Sequence, residues 1–351
     1  MCDILCRMKR ADLRSAKFHS WWSAASLRFR PVVANAIVIG VVLVLYKIEL
    51  SQSLAVPDQV WNLLAFMALA YLAGFASYAL VWQPAPSKGE LVLALFGKLL
   101  LRQRTHITGE ERLALLITLL KAYFLPVMTA FLINNAVLLQ EHVTILMGFP
   151  DWRTVLSVAV FNTAWYPFLF VSFLMVDVAY FTFGYIVDHP RFGNVIRSVD
   201  QTFFGWAVTL ACYPPFNSAV NTIVSSYASD TAHAYTAPLG AFAFNVVALF
   251  LFGVYVWATL ALDTKCSNLT NRGIVNNGPY AFVRHPAYAS KNAIWILSVL
   301  PLGSLAAYMG VLLWAGIYYL RAVTEERHLS QDPDYQRYKS QVPWRFIPRV
   351  W

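Results

Sequence analysis

The chain consists of long apolar runs separated by short polar segments. A helix that crosses a bilayer needs about 17 to 25 predominantly apolar residues. Six runs approach or exceed this length and a shorter apolar pair follows them, which predicts six transmembrane helices and then a helical hairpin. The runs lie at residues 32–46, 61–81, 113–138, 155–186, 203–224 and 239–262, and the pair lies at 292–300 and 305–320. The pattern predicts an all-α fold, a polytopic transmembrane helical bundle.

Prolines interrupt two of these runs. The fourth run is longer than a span requires and contains Pro167, which predicts a kink or a tilt. Pro214 and Pro215 break the fifth run, where irregular backbone is tolerated only against protein or a water-filled cavity. A substrate vestibule and a plain kink both fit this break. Residues 90–101 carry Lys98 among leucines and predict an amphipathic helix at the membrane interface.

Composition and charge placement agree with a membrane protein. Hydrophobic residues make up 58% of the chain and charged residues only 13%, whereas about a quarter of the residues in a soluble domain are charged. The net charge of +9 does not indicate a nucleic-acid partner, because Lys and Arg are concentrated in alternate loops, as the positive-inside rule requires. This alternation predicts an integral, multi-pass membrane protein with both termini in the cytoplasm and a C-terminal hairpin that returns to the same side.

The same features predict three regions. Residues 1–30 form a basic cytoplasmic segment, residues 31–237 form an N-terminal transmembrane region of about five spans, and residues 238–351 form a C-terminal region that carries the chemistry. Neither an internal repeat nor a cysteine spacing typical of metal ligands is present, so no metal is expected.

The candidate functional residues follow the sixth apolar run. Glycines and prolines break the backbone between residues 278 and 290, where cationic and aromatic side chains cluster. After the hairpin come two adjacent acids, a Tyr-x-x-Tyr pair and the sequence Val-Pro-Trp-Arg-Phe-Ile-Pro at 342–348. The residues of interest are Gly278, Pro279, Tyr280, Arg284, His285, Pro286, Tyr288, Glu325, Glu326, Tyr335, Tyr338 and Arg345.

In this order the motifs resemble the isoprenylcysteine carboxyl methyltransferase and phospholipid methyltransferase family of integral membrane enzymes. The shared elements are Gly-Pro-Tyr, Arg-His-Pro-x-Tyr, a hairpin, Glu-Glu, Tyr-x-x-Tyr and a closing Val-Pro-Arg-Phe-Ile-Pro. This chain departs from the pattern at Trp344, which occupies the arginine position and moves Arg345 one place later, and at Ser290, where the family commonly has glycine. The resemblance covers the C-terminal region and not the first 235 or so residues.

The resemblance implies an S-adenosylmethionine pocket in the C-terminal region and methyl transfer to a lipid or lipid-linked acceptor. It implies that residues 278–280 and 284–288 line the cofactor, with His285 near the methionine moiety. It also implies that Glu325 or Glu326 closes the pocket together with Tyr335 and Tyr338.

The residue chemistry is compatible with that cofactor, which carries a carboxylate, a ribose diol, an adenine ring and a sulfonium. Arg284 with His285, the two glutamates and the tyrosines offer a cation, acidic acceptors and aromatic surface. An anionic acceptor, a carboxylate or a phosphate, is favoured because it needs orientation but no general base. Arg345, Arg349 and Arg321 are candidates for orienting it, and Arg345, Glu325 and His285 are the predicted catalytic residues.

The sequence is also compatible with other functions. A membrane reductase of the sterol-reductase type would resemble the C-terminal arrangement but use NADPH, and it should carry more basic residues for the extra phosphates. A transporter would be expected to show internal repeats or paired broken helices. A non-catalytic scaffold is a further alternative. Within the spans, Asp177 either pairs with Lys121 or contacts substrate, because an ionisable group in hydrocarbon needs a partner or a cavity.

Overall fold

A computed structural model describes residues 29–44, 47, 58–81, 86–102, 107–149, 154, 156–224 and 228–350. Over these residues the fold is almost wholly α-helical, which confirms the all-α prediction. Two short strands, β1 (Ser198–Val199) and β2 (Thr270–Asn271), form an antiparallel pair. The chain divides into two compact units, Met1–Ala122 and Tyr123–Trp351, which are described separately.

The described residues of the first unit form three helices and the beginning of a fourth. They are α1 (residues 29–44), α2 (Asp58–Val81), α3 (Lys88–Leu100) and α4 (Gly109–Met147), which continues into the second unit. Helix α3 covers the segment predicted to be amphipathic, and it begins with a reciprocal cap: the Glu90 backbone amide donates to Ser87 Oγ at 3.3 Å, and the Ser87 amide donates to Glu90 Oε2 at 2.9 Å. Its position at a membrane interface stays a prediction.

In the second unit, the part of the chain that the structure describes forms the rest of α4 and seven further α-helices. They are α5 (Val158–Ile186), α6 (Phe203–Leu210), α7 (Phe216–Val224), α8 (Pro238–Leu262), α9 (Pro286–Val299), α10 (Leu305–Leu329) and α11 (Pro333–Gln341). The core of this unit lies where α5, α8 and α9 meet. Its buried side chains are Tyr166, Phe244, Ala248, Phe252 and Ile294.

Five helices of the described chain are long and apolar enough to cross a membrane. The multi-pass membrane prediction therefore stands, but the pattern of spans differs from six plus a hairpin. The run at 32–46 forms the shorter helix α1, and the run at 203–224 forms two short helices, α6 and α7. The second arm of the hairpin extends to Leu329 and is itself long enough to span. The five helices are Asp58–Ala79, Gly109–Met147, Val158–Ile186, Pro238–Lys265 and Leu305–Leu329.

Proline explains two of these features. Pro214 and Pro215 lie between α6 and α7, and because proline lacks an amide hydrogen and clashes with the preceding turn, the fifth run does not continue as one helix. In α5, a π-helical turn at Phe161–Trp165 precedes Pro167 and absorbs the break in the hydrogen-bond ladder without ending the helix.

The C-terminal elements fold back onto the loop that precedes α9. Tyr335, Tyr338 and Val342 form a buried cluster against Tyr280 and neighbouring apolar side chains. Below this cluster Asp332 caps α11 and accepts hydrogen bonds from Asn271 Nδ2 at 2.7 Å and from Arg197 at 3.2 Å. The amide of Asn271 and the guanidinium of Arg197 lower the pKa of Asp332. These contacts fix α11 against the β1–β2 pair.

Candidate functional site

The Gly-Pro-Tyr segment is a single tight turn packed on α8. Gly278 has a φ of +57°, a left-handed conformation that favours glycine, and a Cβ placed there would lie 3.1 Å from Ala261 Cβ and 3.3 Å from Trp257 Nε1. Residues Gly278–Ala281 form one turn of 3₁₀ helix. The close approach of this turn to α8 explains why glycine followed by proline occurs here. Burial raises the pKa of Tyr280, so its side chain is a neutral phenol.

Pro286 begins α9, and Arg284 and His285 lie immediately before it. Both residues are buried and meet Glu326 of α10. The Glu326 carboxylate accepts hydrogen bonds from Arg284 Nε at 3.0 Å and from Arg345 Nε and Nη2 at 2.9 Å each, and lies 3.1 Å from His285 Nε2. We refer to Arg284, His285, Glu326 and Arg345 as the Glu326 cluster. Its carboxylate holds together residues from three separate motifs.

The C-terminal tail completes this cluster through its backbone. The Arg284 amide donates to the Trp344 carbonyl and the His285 amide donates to the Arg345 carbonyl, each at 2.9 Å. Arg284 Nη1 also donates to the carbonyl oxygens of Val342, at 2.9 Å, and Pro343, at 2.6 Å. The guanidinium of Arg284 is therefore held by the Glu326 carboxylate and two backbone carbonyls. Hydrogen bonding to Glu326 raises the pKa of Arg345, which keeps that side chain cationic.

Glu325, one residue earlier on α10, has a different environment. It accepts a hydrogen bond from the Tyr288 hydroxyl at 2.8 Å, and the Tyr288 ring stacks on His285 with ring centroids 5.3 Å apart. Adjacent residues of an α-helix point about 100° apart, so the two glutamates cannot share one role. Glu326 faces the tail, whereas Glu325 faces a cavity.

This cavity lies within the second unit and has a volume of about 570 Å³. Pockets of about 300–1,000 Å³ are typical of small-molecule and cofactor sites. Helices α4, α5, α7, α8, α9 and α10 each contribute residues three or four positions apart, which lie on one helical face. Helix α10 supplies the most complete stripe: Trp314, Tyr318, Arg321, Glu325 and His328.

Arg321 is the most distinctive residue of that stripe. It is 8% exposed, its guanidinium donates to Asn268 Oδ1, and its guanidinium carbon lies 5.6 Å from the centroid of the Tyr213 ring and 5.1 Å from that of Tyr288. Among the described residues no carboxylate forms an ion pair with it. The other lysine and arginine side chains that line the cavity are already paired, Arg284 with Glu326 and Lys291 with Asp230 at 2.6 Å. Arg321 is therefore the side chain best suited to bind an anionic group of a ligand.

The structure brings the predicted site residues together but gives them two environments. Those that line the cavity are Tyr280, Arg284, His285, Tyr288 and Glu325. Those that support it from outside are Gly278, Pro279, Pro286, Glu326, Tyr335, Tyr338 and Arg345, among which Tyr338 donates its hydroxyl to the Tyr280 carbonyl at 2.8 Å. Ser290, at the position where glycine is common, donates its hydroxyl to the carbonyls of Pro286 and Ala287 at 3.0 and 3.1 Å. The assignment of catalytic and cofactor-binding roles stays a prediction.

Sequence reasoning did not identify several residues of the cavity wall, among them Tyr318, His328 and Asn268. Lys291 also lines the cavity. So does Asp177, for which the sequence left an ion pair with Lys121 or a substrate contact open, and its carboxylate accepts hydrogen bonds from the hydroxyls of Tyr255 and Thr259. The alternation of three- and four-residue steps between Trp314 and His328 would have indicated the stripe on α10. Asn268 lies in a loop with no comparable pattern.

The described residues contain no group of three or more His, Cys, Asp or Glu side chains that could hold a metal ion. A comparison with curated proteins finds no significant match. Residues 241–331 match the sequence model of the isoprenylcysteine carboxyl methyltransferase (ICMT) family. The matched segment contains all of α9 and α10 and most of α8, together with the Gly-Pro-Tyr and Arg-His-Pro motifs and both glutamates. It confirms the resemblance drawn from the motifs, and it identifies this region as similar to a family of membrane methyltransferases.

Proposed function

We propose that the protein is an integral membrane methyltransferase that uses S-adenosylmethionine to methylate an anionic group, a carboxylate or a phosphate, of a lipid or lipid-linked acceptor at the cytoplasmic face. The observation that carries the proposal is that motifs separated by more than a helical hairpin converge on one cavity. The family match at residues 241–331 supports the methyltransferase class.

The donor set of the cavity fits S-adenosylmethionine, which would supply an electrophilic methyl group when bound. Glu325 offers carboxylate oxygens suited to hydroxyl groups, and Tyr288, Tyr280 and Tyr318 offer aromatic faces suited to a ring or a sulfonium cation. Arg284 was the expected partner for the amino-acid carboxylate, but its hydrogen bonds go to Glu326 and to backbone carbonyls. Lys291 or Arg321 binds the amino-acid carboxylate instead, and Arg284 stabilises the turn that positions His285 at the cavity.

Arg321 is also the candidate for orienting the acceptor. A carboxylate or phosphate is already ionised at neutral pH, so the protein has to position it and exclude water rather than remove a proton. Arg345, predicted for this role, is bound to Glu326 and does not line the cavity. Arg321 does line the cavity and forms no ion pair with a described residue, which makes it the stronger candidate of the two.

The first test is ligand-dependent thermal stability of the purified, detergent-solubilised protein. Stabilisation by S-adenosylhomocysteine and not by NADPH is expected, because a ligand that binds the native state shifts its apparent melting temperature. The reverse result would favour the reductase alternative.

The second test is transfer of labelled methyl groups from S-adenosylmethionine to a membrane-lipid extract. His285→Ala and Glu325→Ala are each expected to abolish incorporation, since both residues line the cavity. Gly316→Ala is a matched control on α10, because a Cβ at Gly316 would meet nothing within 4 Å. Unchanged incorporation by both cavity variants would refute the site.

A further inference from the structure

The wall of the cavity contains a carboxylate to which the proposed function gives no role. Asp177 lies on α5, one of the helices long and apolar enough to cross a membrane, and it is 7% exposed. It lines the same cavity as Glu325 and Arg321 but precedes the segment that matches the methyltransferase family. An ionisable side chain inside a membrane-spanning helix is costly and indicates a functional site with a partner that compensates its charge.

Hydroxyl groups, and not a cation, hold the Asp177 carboxylate. Its Oδ2 accepts a hydrogen bond from the Tyr255 hydroxyl at 3.3 Å, and its Oδ1 accepts one from the Thr259 hydroxyl. Tyr255 and Thr259 are four residues apart on α8, so both hydroxyls extend from one helical face. Within the described residues of the second unit, no lysine, arginine or histidine forms an ion pair with Asp177. The carboxylate is therefore fixed in orientation, while its negative charge lacks an ion-pair partner.

The surroundings of Asp177 favour one kind of cation. The other α5 residues that line the cavity are apolar: Leu174, Val178 and Phe181. An ammonium group carries three N–H donors and needs several acceptors, whereas a sulfonium has no N–H group and needs only charge compensation and polarisable contacts. A single carboxylate next to apolar and aromatic side chains therefore suits a sulfonium better than an ammonium group.

Tyr280 connects Asp177 with the end of the cavity that carries Glu325. Burial raises the pKa of Tyr280, and the charges of Glu325 and Asp177 raise it further, so both carboxylates act on the same phenol. The sulfonium of S-adenosylmethionine is joined to the ribose through one methylene group. A ligand with a diol and a nearby cation therefore matches the two carboxylates that act on this part of the cavity.

We propose that Asp177 binds the sulfonium of S-adenosylmethionine and makes the cavity selective for the charged methyl donor over its neutral product. This inference rests on the proposed function and adds a specificity-determining residue from outside the family-matched segment. During transfer the acceptor oxygen bonds to the methyl carbon, and the electron pair of the broken carbon–sulfur bond stays on sulfur. The resulting thioether is neutral, so Asp177 no longer contributes to its binding and the product is held less tightly than the donor.

The test measures equilibrium binding to the full-length, detergent-solubilised protein without an acceptor, so that no methyl group is transferred. S-adenosylmethionine and S-adenosylhomocysteine form a matched pair of probes that differ by one methyl group and one positive charge. We expect the wild-type protein to bind S-adenosylmethionine at least about 10-fold more tightly, because an interaction with a charged group contributes at least this factor.

Asp177→Asn preserves the size of the side chain and removes its charge. It should reduce the preference to within about 3-fold and leave the affinity for S-adenosylhomocysteine unchanged. Thr259→Val removes one of the two hydroxyls that orient the carboxylate and should lower the preference by a smaller factor, about 3-fold, which keeps the inference testable if Asp177→Asn does not fold. Asp334→Asn is the matched control: Asp334 is exposed on α11 and does not line the cavity, so the full preference should remain.

Equal affinities of the wild-type protein for the two ligands would overturn the inference, and so would an Asp177→Asn variant that keeps the full preference. Equal weakening of both ligands in that variant would also overturn it, because both ligands carry the same ammonium group and the result would assign Asp177 to that group or to the scaffold. Failure of the wild-type protein to bind either ligand would instead refute the proposed function, which keeps the two failures separate.

Discussion

Replacing Glu326 with alanine is expected to destabilise the protein far more than any change to Glu325. The side chain of Arg284 is 6% exposed and that of Arg345 is 20% exposed, so loss of the carboxylate leaves Arg284 unable to recover its solvation. Arg284 would still donate hydrogen bonds to two backbone carbonyls, but no carboxylate would compensate its positive charge. Breaking a buried ion pair by removing one partner typically costs about 3–5 kcal/mol.

The expected measurement is a lower apparent melting temperature. For units of 150–250 residues, 1 kcal/mol shifts the melting temperature by roughly 2–4 °C, so Glu326→Ala should lower it by an amount on the order of 10 °C. Glu325→Gln, which loses only part of a hydrogen bond to Tyr288, should lower it by no more than about 3 °C while abolishing methyl transfer.

A compensating pair of substitutions separates charge burial from a general loss of packing. Arg284→Met combined with Glu326→Leu removes the most buried guanidinium together with the carboxylate, and it leaves Arg345, whose side chain is 20% exposed and keeps access to water, as the cation that loses its carboxylate. Apolar replacements of a buried pair are often neutral. The double variant should therefore recover much of the stability lost in Glu326→Ala. Equal melting temperatures for Glu326→Ala and the wild-type protein, or an equal loss in Glu325→Gln, would refute this account of the cluster.

Three further outcomes follow from single contacts. Arg321→Met should raise the KM for a carboxylate acceptor by roughly 10- to 100-fold with a smaller change in kcat, because a hydrogen bond to a charged group is worth about 1.5–3 kcal/mol; steady-state kinetics with an unchanged KM would contradict this. Asp332 has a lowered pKa in the folded protein, so its stabilising effect is present above about pH 4 and is lost as the pH falls through the folded pKa; the difference in melting temperature between wild type and Asp332→Asn should therefore shrink below pH 4, and a constant difference would be inconsistent. A Cβ at Gly184 would collide with the backbone carbonyl of Cys266, so Gly184→Ala should cost about 1–3 kcal/mol, whereas Gly253→Ala, which meets nothing within 4 Å, should not; equal thermal unfolding of the two would argue against this packing.

Sequence patterns predicted the helices and the convergence of the motifs, because hydropathy and motif order are local properties of the chain. They could not assign separate roles to Glu325 and Glu326, since adjacent residues of a helix diverge by about 100° and the facing direction depends on tertiary packing. The sequence did not reveal the role of Arg284 either. An arginine next to a histidine suggests a ligand contact, but Arg284 binds the Glu326 carboxylate, 42 residues further along the chain, and the Val342 carbonyl, 58 residues further along.

The number of spans was difficult to predict from the sequence. The apolar run at residues 203–224 is long enough to cross a membrane, but its two consecutive prolines separate two short helices, α6 and α7. The second arm of the hairpin, which begins at Leu305, carries charged residues near its end. Because of these charges, the sequence pattern did not show that the helix continues to Leu329. Arg321 lies in this last part of the helix, where the positive-inside rule would assign it to a cytoplasmic loop.

The backbone pairing of Arg284 and His285 with Trp344 and Arg345 has a consequence for biogenesis. Every helix described here precedes residues 342–345 in the chain, so these helices can insert and pack while the Arg-His turn still lacks its backbone partners. Arg284 and His285 would reach their final hydrogen bonding only when residues 342–345 dock on them, after the helices on both sides of the turn have assembled.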